Sequence, residues 1–165
     1  MPGTTNMPKP IDKLSFWKDR IDTAVSDHYS VYVVHEAGWK KINETHEKII
    51  KKHIPEGVMV LDAGCGYGRM CKYFAPEDYV GVDFSPDFIK KAQDKFPAYA
   101  FRVENLKELS FDDGQFAWAI VVSIKKMVVD NLGQEAWNEM EKEIKRVSKK
   151  VLLLEYEEPE KYEVL

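Results

Sequence analysis

The segment Val58-Met59-Val60-Leu61-Asp62-Ala63-Gly64-Cys65-Gly66-Tyr67-Gly68-Arg69 constrains this chain more than any other. An apolar run of strand length passes without a break into G-x-G-x-G. Glycines at that spacing let the backbone turn sharply and let a ligand approach it without meeting side chains. A second apolar run, Tyr79 to Val82, ends in Asp83, 19 residues after Gly64. In an open parallel sheet the ligand crevice lies beyond the carboxyl ends of the strands, where both the loop and Asp83 fall. A carboxylate at that position accepts hydrogen bonds from both hydroxyls of a ribose, so the two features together describe a nucleoside site.

The same residues narrow the nucleoside. The dinucleotide fingerprint needs a third glycine at G-x-G-x-x-G, and Arg69 occupies that position. Asp62, at the strand end just before the glycines, suits a cationic amino-acid moiety better than a pyrophosphate. S-adenosylmethionine carries a ribose and an ammonium group and no phosphate.

Around this segment the chain reads as one domain in three parts: a lead-in over residues 1–12, N-terminal helices forming a lid over 13–57, and an α/β core over 58–165. Leu14, Trp17, Ile21 and Val25 recur at helical spacing, and a second helix from about Gly38 to His53 directs Trp39, Ile42, Ile49 and Ile50 inward before Pro55 and Gly57 stop it. Beyond the loop the pattern predicts a helix from Arg69 to Phe74 and another opened by Ser85-Pro86-Asp87 and running to Lys95. A strand over Tyr99 to Val103 follows, then an apolar run Phe116 to Ile124, a long helix Gln134 to Val147 and a last strand Val151 to Tyr156. Strands alternating with helices imply a mostly parallel sheet of about five strands with helices on both faces.

Composition excludes several partners. A chain of 165 residues, 44% hydrophobic and 32% charged, buries one sizeable core and is short for two domains. The net charge is -4, with lysines and arginines interleaved among acids, which argues against a nucleic-acid footprint. Cys65 and Cys71 form neither a disulfide framework nor a zinc pattern, so no metal site is expected and a reducing compartment fits. Met1 to Pro10 lacks the apolar run of a signal peptide, and no stretch is long enough to span a membrane. The expectation is a cytoplasmic protein.

L-D-A-G-C-G-Y-G-R (61–69) followed by V-G-V-D-F-S-P (80–86) resembles the first two motifs of the class I S-adenosylmethionine-dependent methyltransferases. The stretch from Asn105 to Phe116 is similar to the family's D-A-x-x-L-P-F-x-D-x-x-F, and Glu143-Ile144-Lys145-Arg146-Val147 precedes the fifth strand as it does there. The resemblance implies a Rossmann-like sandwich and the cofactor S-adenosylmethionine. It puts Asp62, Gly64 and Gly66 at the methionine end, Asp83 on the ribose, Asn105 at the adenine amino group, and Val121 and Val122 beside the methionyl portion. Ala63, Cys65, Phe84 and Leu106 complete the cofactor-binding candidates.

Three departures bear on chemistry. Asn105 stands where the family usually has Asp, and its carbonyl can still accept from an amino group. Ala117 replaces a common acid after Phe116, and Lys125-Lys126-Met127 does not match the usual stretch after the fourth strand. After Tyr156 nine residues remain, where the family usually adds two strands, one antiparallel. The fifth strand is then an exposed edge, to be covered by a homodimer, a partner subunit or the short acidic tail. No N-P-P-Y, D-P-P-Y or Pro-Cys motif of the DNA-methylating types occurs there. His28, Tyr29, Tyr32 and His35 lie where a lid would sit, and His28, Tyr32 and His35 are the candidates for a general base. Two functions follow: methyl transfer to an oxygen or nitrogen of a small-molecule acceptor, or binding of the cofactor without methyl transfer, as a partner subunit or a lyase-like degrader.

Overall fold

The computed structural model describes residues 36–165. Four strands, β1 (Val60–Ala63), β2 (Tyr79–Asp83), β4 (Trp118–Val122) and β5 (Val151–Leu154), are buried at every position, as strands covered on both faces must be. β3 (Ala100–Val103) buries Phe101 alone and forms one edge. A sixth strand, β6 (Tyr162–Val164), forms the other, in the order β3-β2-β1-β4-β5-β6. All neighbours run parallel except β5 and β6, where Leu154 opposes Tyr162 and Leu152 opposes Val164.

The sixth strand corrects the count of five and the expectation of an open fifth-strand edge. Of the covers expected for that edge, a homodimer, a partner subunit or the short acidic tail, it is the tail that pairs with β5. Three contacts strap the tail down: Lys125 Nζ lies 2.9 Å from Glu163 Oε1, Lys52 Nζ donates to the Tyr162 hydroxyl at 3.3 Å, and the His53 and Tyr162 rings meet at 4.8 Å.

Strand alternation divides the core. Leu61, Ala63, Val80, Val82, Ala119, Val121, Val151 and Leu153 point to one face, where α3 (Ile124–Leu132) and α4 (Gln134–Val147) bring Val128, Trp137, Ile144 and Val147 onto them. Val60, Trp118, Ile120, Val122, Leu152 and Leu154 point to the other, against Ile49, Ile50 and Ile54 from α1 (Glu36–His53) and the turn after it. Beside them α2 (Pro86–Lys95) packs Ile89 and Ala92 with Tyr79 and Phe101. A fully buried aliphatic side chain of this kind contributes roughly 1.5–3 kcal/mol, so the two packed faces dominate stability.

The expected helices appear at α1, α2 and α4. Ser85 caps α2 by accepting from the Phe88 amide at 3.3 Å, with Pro86 in its first turn. Two elements differ from expectation. Residues 66–70 form successive turns, and the expected helix over Arg69 to Phe74 is a single 3₁₀ turn, Cys71–Tyr73. The apolar run Phe116 to Ile124 is not one strand: β4 ends at Val122, Ser123 turns the chain with φ +56°, and Ile124 opens α3, which Lys125 and Lys126 continue. The predicted helix at Leu14 to Val25 and the rest of residues 1–35 lie outside the described residues.

Candidate cofactor site at the carboxyl ends of β1 and β2

β1 and β2 are adjacent and in register, Ala63 beside Val82, so the glycine loop and Asp83 leave the sheet side by side. The loop begins with both the Gly64 and Cys65 amides donating to the Val82 carbonyl at 2.8 Å. The Asp83 carboxylate then spans the gap: Oδ2 accepts from the Gly66 amide at 3.0 Å and Oδ1 from the Ser85 amide at 2.9 Å. Each carboxylate oxygen has a second lone pair, so both can still accept from a hydroxyl. Burial raises the Asp83 carboxyl to about 6, against the backbone amides of Ser85, Gly66 and Phe84, which favour its charged form.

Next to this carboxylate Phe84 is 42% exposed, an aromatic face left uncovered at a strand end. Asn105 is also exposed, and its Oδ1 accepts from the Lys107 amide at 3.0 Å, which leaves the carboxamide N–H groups and one carbonyl lone pair for a ligand. Leu106 is buried in the core instead of facing a cleft. Val121 and Val122 are buried on opposite faces of the sheet, so what they can present at the end of β4 is backbone. Ala63 and Cys65 are likewise buried, and burial holds the Cys65 thiol well above its ordinary pKa, which leaves it a small apolar filler.

The glycines have a packing reason as well as a ligand one. Gly64 has φ +84°, and a Cβ there would sit 2.5 Å from Ile124 Cδ1. Gly68 has φ +87°, and its Cβ would sit 2.7 Å from Phe101 Cζ. The first turn of α3 therefore closes directly over the start of the loop.

Asp62 is placed differently from the other acid. It is 1% exposed, and the Tyr79 hydroxyl donates to its Oδ2 at 2.6 Å. Burial pushes its carboxyl up to about 7, opposed by the Tyr79 hydrogen bond and by the Arg69 charge and reinforced by Asp83. The unfolded chain releases this proton near the ordinary Asp value of about 4. Between about pH 4 and pH 7 the folded protein thus holds more protons than the unfolded one, and stability from this group falls as pH rises through that window. Asp62→Asn is expected to flatten this dependence and to make the ligand-free protein more stable than wild type above pH 7, by more than about 1 kcal/mol. Urea unfolding at pH 5.5 and pH 8 measures it; the same pH dependence in both proteins would refute the assignment.

Two contributors escape a sequence reading. His46 on α1 is wholly buried: Nε2 lies 3.0 Å from the Glu155 carbonyl oxygen and Nδ1 3.3 Å from Arg69 Nη2. A carbonyl only accepts and a guanidinium only donates, so the neutral Nε2–H tautomer satisfies both. Burial and the Arg69 charge hold its pKa down at about 4. Arg146 is the second, fixing the loop that carries Asn105 by donating to the Leu109 and Phe111 carbonyls at 3.0 and 2.9 Å and pairing with Asp113 at 2.6 Å. Apart from Glu143, which pairs with Arg146 from one helical turn before it, their partners lie 23 to 109 residues away, beyond the reach of any local pattern. The candidate bases His28, Tyr32 and His35 lie outside the described residues. Among the described residues no His, Cys, Asp or Glu cluster could hold a metal, and no helix is long and apolar enough to cross a membrane.

These features fit an adenosyl group: a carboxylate with free lone pairs for a ribose, an exposed ring beside it, and a glycine loop hydrogen-bonded to that carboxylate. Known proteins point the same way. A 2-methyl-6-phytyl-1,4-hydroquinone methyltransferase from Synechocystis sp. is 36% identical over 76 residues, 41% of this chain and 24% of that protein. The chain thus matches about a quarter of that relative's length. A crystal structure of a SAM-dependent methyltransferase from Methanosarcina mazei is 28% identical with a TM-score of 0.57, covering 64% of this chain and 55% of that one. A Pyrococcus horikoshii protein, also 28% identical, gives a TM-score of 0.61 over 70% of this chain and 53% of that one. The match to the methyltransferase domain family runs over residues 60–150, from the first residue of β1 to the residue before β5. Since that span is more than half of the chain and contains the whole loop and Asp83, the chain belongs to the methyltransferase domain family.

Proposed function

We propose that the chain transfers a methyl group from S-adenosylmethionine to an oxygen or nitrogen nucleophile of a small-molecule acceptor. The observation that carries this reading is the Asp83 carboxylate, hydrogen-bonded to the glycine loop on one side and flanked by exposed Phe84 on the other. In this reading Asp83 holds the ribose hydroxyls, Phe84 and Asn105 receive the adenine, and the loop backbone from Gly64 to Gly66 receives the amino-acid end.

The cofactor supplies a methyl group already on a good leaving group, a sulfonium. The chain's task is then chiefly to hold the acceptor in line with that methyl at near-attack distance. A lowered acceptor pKa or a base is a refinement, and His28, Tyr32 and His35 remain the candidates by position.

The second reading, binding without methyl transfer, is motivated by Lys125-Lys126-Met127, which departs from the family's stretch after the fourth strand and here forms the first turn of α3. Isothermal titration with S-adenosylmethionine, S-adenosylhomocysteine and NAD, followed by mass analysis with and without a panel of hydroquinones and amines, separates the two. Binding of both adenosyl compounds but not NAD, with S-adenosylhomocysteine formed only when an acceptor is present, is the expected result. An intact cofactor with every acceptor, or one degraded without any, would favour the second reading, and no adenosyl binding would overturn both.

A further inference from the structure

Glu155 is the first residue beyond the carboxyl end of β5, where the ligand crevice of such a sheet lies, and on the side of β1 away from Asp83 and Phe84. Its backbone carbonyl is held 3.0 Å from His46 Nε2. Its half-buried carboxylate accepts from the Ser123 hydroxyl and the Lys126 amide. Ser123 is the one non-glycine residue with a left-handed backbone among those described. In that conformation its Oγ accepts from the Tyr156 amide at 2.8 Å, which leaves the O–H for Glu155. The first turn of α3 joins this carboxylate to the glycine loop, with Ile124 against Gly64 and Lys126 against Glu155.

Part of this arrangement is a helix cap. Ser123, the N-cap of α3, makes no side-chain cap bond of its own, and Glu155 supplies one from the neighbouring strand. Capping leaves two properties of the carboxylate unused. It has about four lone-pair sites, and its two donors occupy only two. Its charge also lacks an ion-paired cation among the described residues, because Lys125 pairs with Glu163 and Lys126 with Asp130. Burial outweighs both hydrogen bonds and raises the carboxyl above its ordinary value; Glu157 adds to the rise and Lys125 opposes it.

We infer that Glu155 is the base of the proposed methyl transfer and that the acceptor is a phenolic hydroxyl. This rests on the methyltransferase reading. An amine attacks with its own lone pair and sheds its proton afterwards, and a carboxylate acceptor is already ionised, so a base serves a hydroxyl. A phenol, with a pKa of about 10, lies within reach of a raised carboxylate, and an aliphatic alcohol does not. The phenolic proton passes to a Glu155 Oε as the phenol oxygen bonds the methyl carbon. The carbon–sulfur bond breaks with its electron pair on sulfur, which leaves S-adenosylhomocysteine and an aryl methyl ether.

The test uses hydroquinone as acceptor, benzylamine as the amine control and 1,4-dimethoxybenzene as the same ring without hydroxyl protons. Wild type is expected to make 4-methoxyphenol, with kcat/KM rising with pH as Glu155 loses its proton. The charged groups facing that carboxylate are Glu157, Lys125 and Lys126, and His46 meets only its backbone carbonyl. Glu157→Gln should move the midpoint of the rise to lower pH, since Glu157 raises the Glu155 carboxyl. Glu155→Gln keeps an oxygen for Ser123 and Lys126 but takes no proton, so kcat falls about a hundredfold or more and the rise with pH disappears. Its affinity for S-adenosylhomocysteine stays that of wild type. A second readout needs no turnover: hydroquinone raises the Tm of the wild-type S-adenosylhomocysteine complex more than 1,4-dimethoxybenzene does, and Glu155→Leu loses the difference.

A carboxylate that only caps α3 would leave kcat and its pH profile unchanged in Glu155→Gln, and that result overturns the inference. So does methylation of benzylamine without hydroquinone, or an equal effect of the two ring compounds on the wild-type Tm. Should hydroquinone bind without turning over, a Tm difference that persists in Glu155→Leu overturns it. No binding of S-adenosylhomocysteine by wild type would instead overturn the methyltransferase reading on which this one stands.

Discussion

Asp83→Ala is expected to weaken S-adenosylhomocysteine binding at least a hundredfold in isothermal titration. Two hydrogen bonds from ribose hydroxyls to a charged acceptor contribute about 1.5–3 kcal/mol each, and both are lost. The variant also strips the Gly66 and Ser85 amides of their acceptor, so the loop loses its tie to the end of β2. Asp83→Asn separates these effects. It keeps the volume and one acceptor oxygen, but its amide nitrogen must face one of two N–H groups, so at most one of the backbone bonds survives. Its affinity should fall between wild type and Asp83→Ala. Unchanged affinity in Asp83→Ala, with an unaltered thermal transition, would remove the ribose from this carboxylate.

The second large effect concerns folding. Gly64→Ala places a methyl group where Ile124 Cδ1 and Cγ1 already are, 2.5 and 2.6 Å away, in a backbone conformation at φ +84° that side chains disfavour. Left-handed strain costs roughly 1–2 kcal/mol and displacing the partly buried Ile124 side chain adds to it, so a loss of at least about 1–2 kcal/mol in urea unfolding is expected. Ile124→Ala removes the obstructing atoms. Combined with Gly64→Ala it should recover the overpacking part and leave the backbone part, a coupling visible in a double-mutant cycle. Additive losses in the double variant would mean that the loop and α3 do not press on each other.

The sequence carried the parts of this fold that local patterns encode. The strand-to-loop transition after Ala63, the cap at Ser85 and the helical spacing of α4 are all readable because their causes lie within a few residues. The features that escaped have distant or weak causes. β6 is three residues at the end of an acidic stretch, and only its pairing with Leu152 to Leu154 makes it a strand. α3 hides behind an apolar run that continues through Ile124, because the break is made by Ser123 in a left-handed turn without glycine or proline.

The candidate site shows the same division. Asp83 and the glycines announced themselves by spacing, and the structure adds that Gly64 and Gly68 are also required by Ile124 and Phe101. Arg69 was noticed for the glycine it replaces, while its burial depends on Trp39, Asn43, His46 and Tyr156, brought together from α1 and the end of β5. Leu106, Val121 and Val122, named from family spacing, turn their side chains into the core, since such spacing places a residue along the chain and not the direction it faces.

β1 lies between β2 on one side and β4 on the other, so both edges of its backbone are engaged and both of its faces are covered. Amide protons there exchange with solvent only when the protein opens broadly, whereas the outer strands β3 and β6 can fray on their own. The glycine loop, buried from Cys65 to Met70, is thus an irregular turn rooted in a central strand of the sheet. Its anchor stays fixed through local fluctuations at either edge, and a ligand meets the same start of the loop each time it arrives.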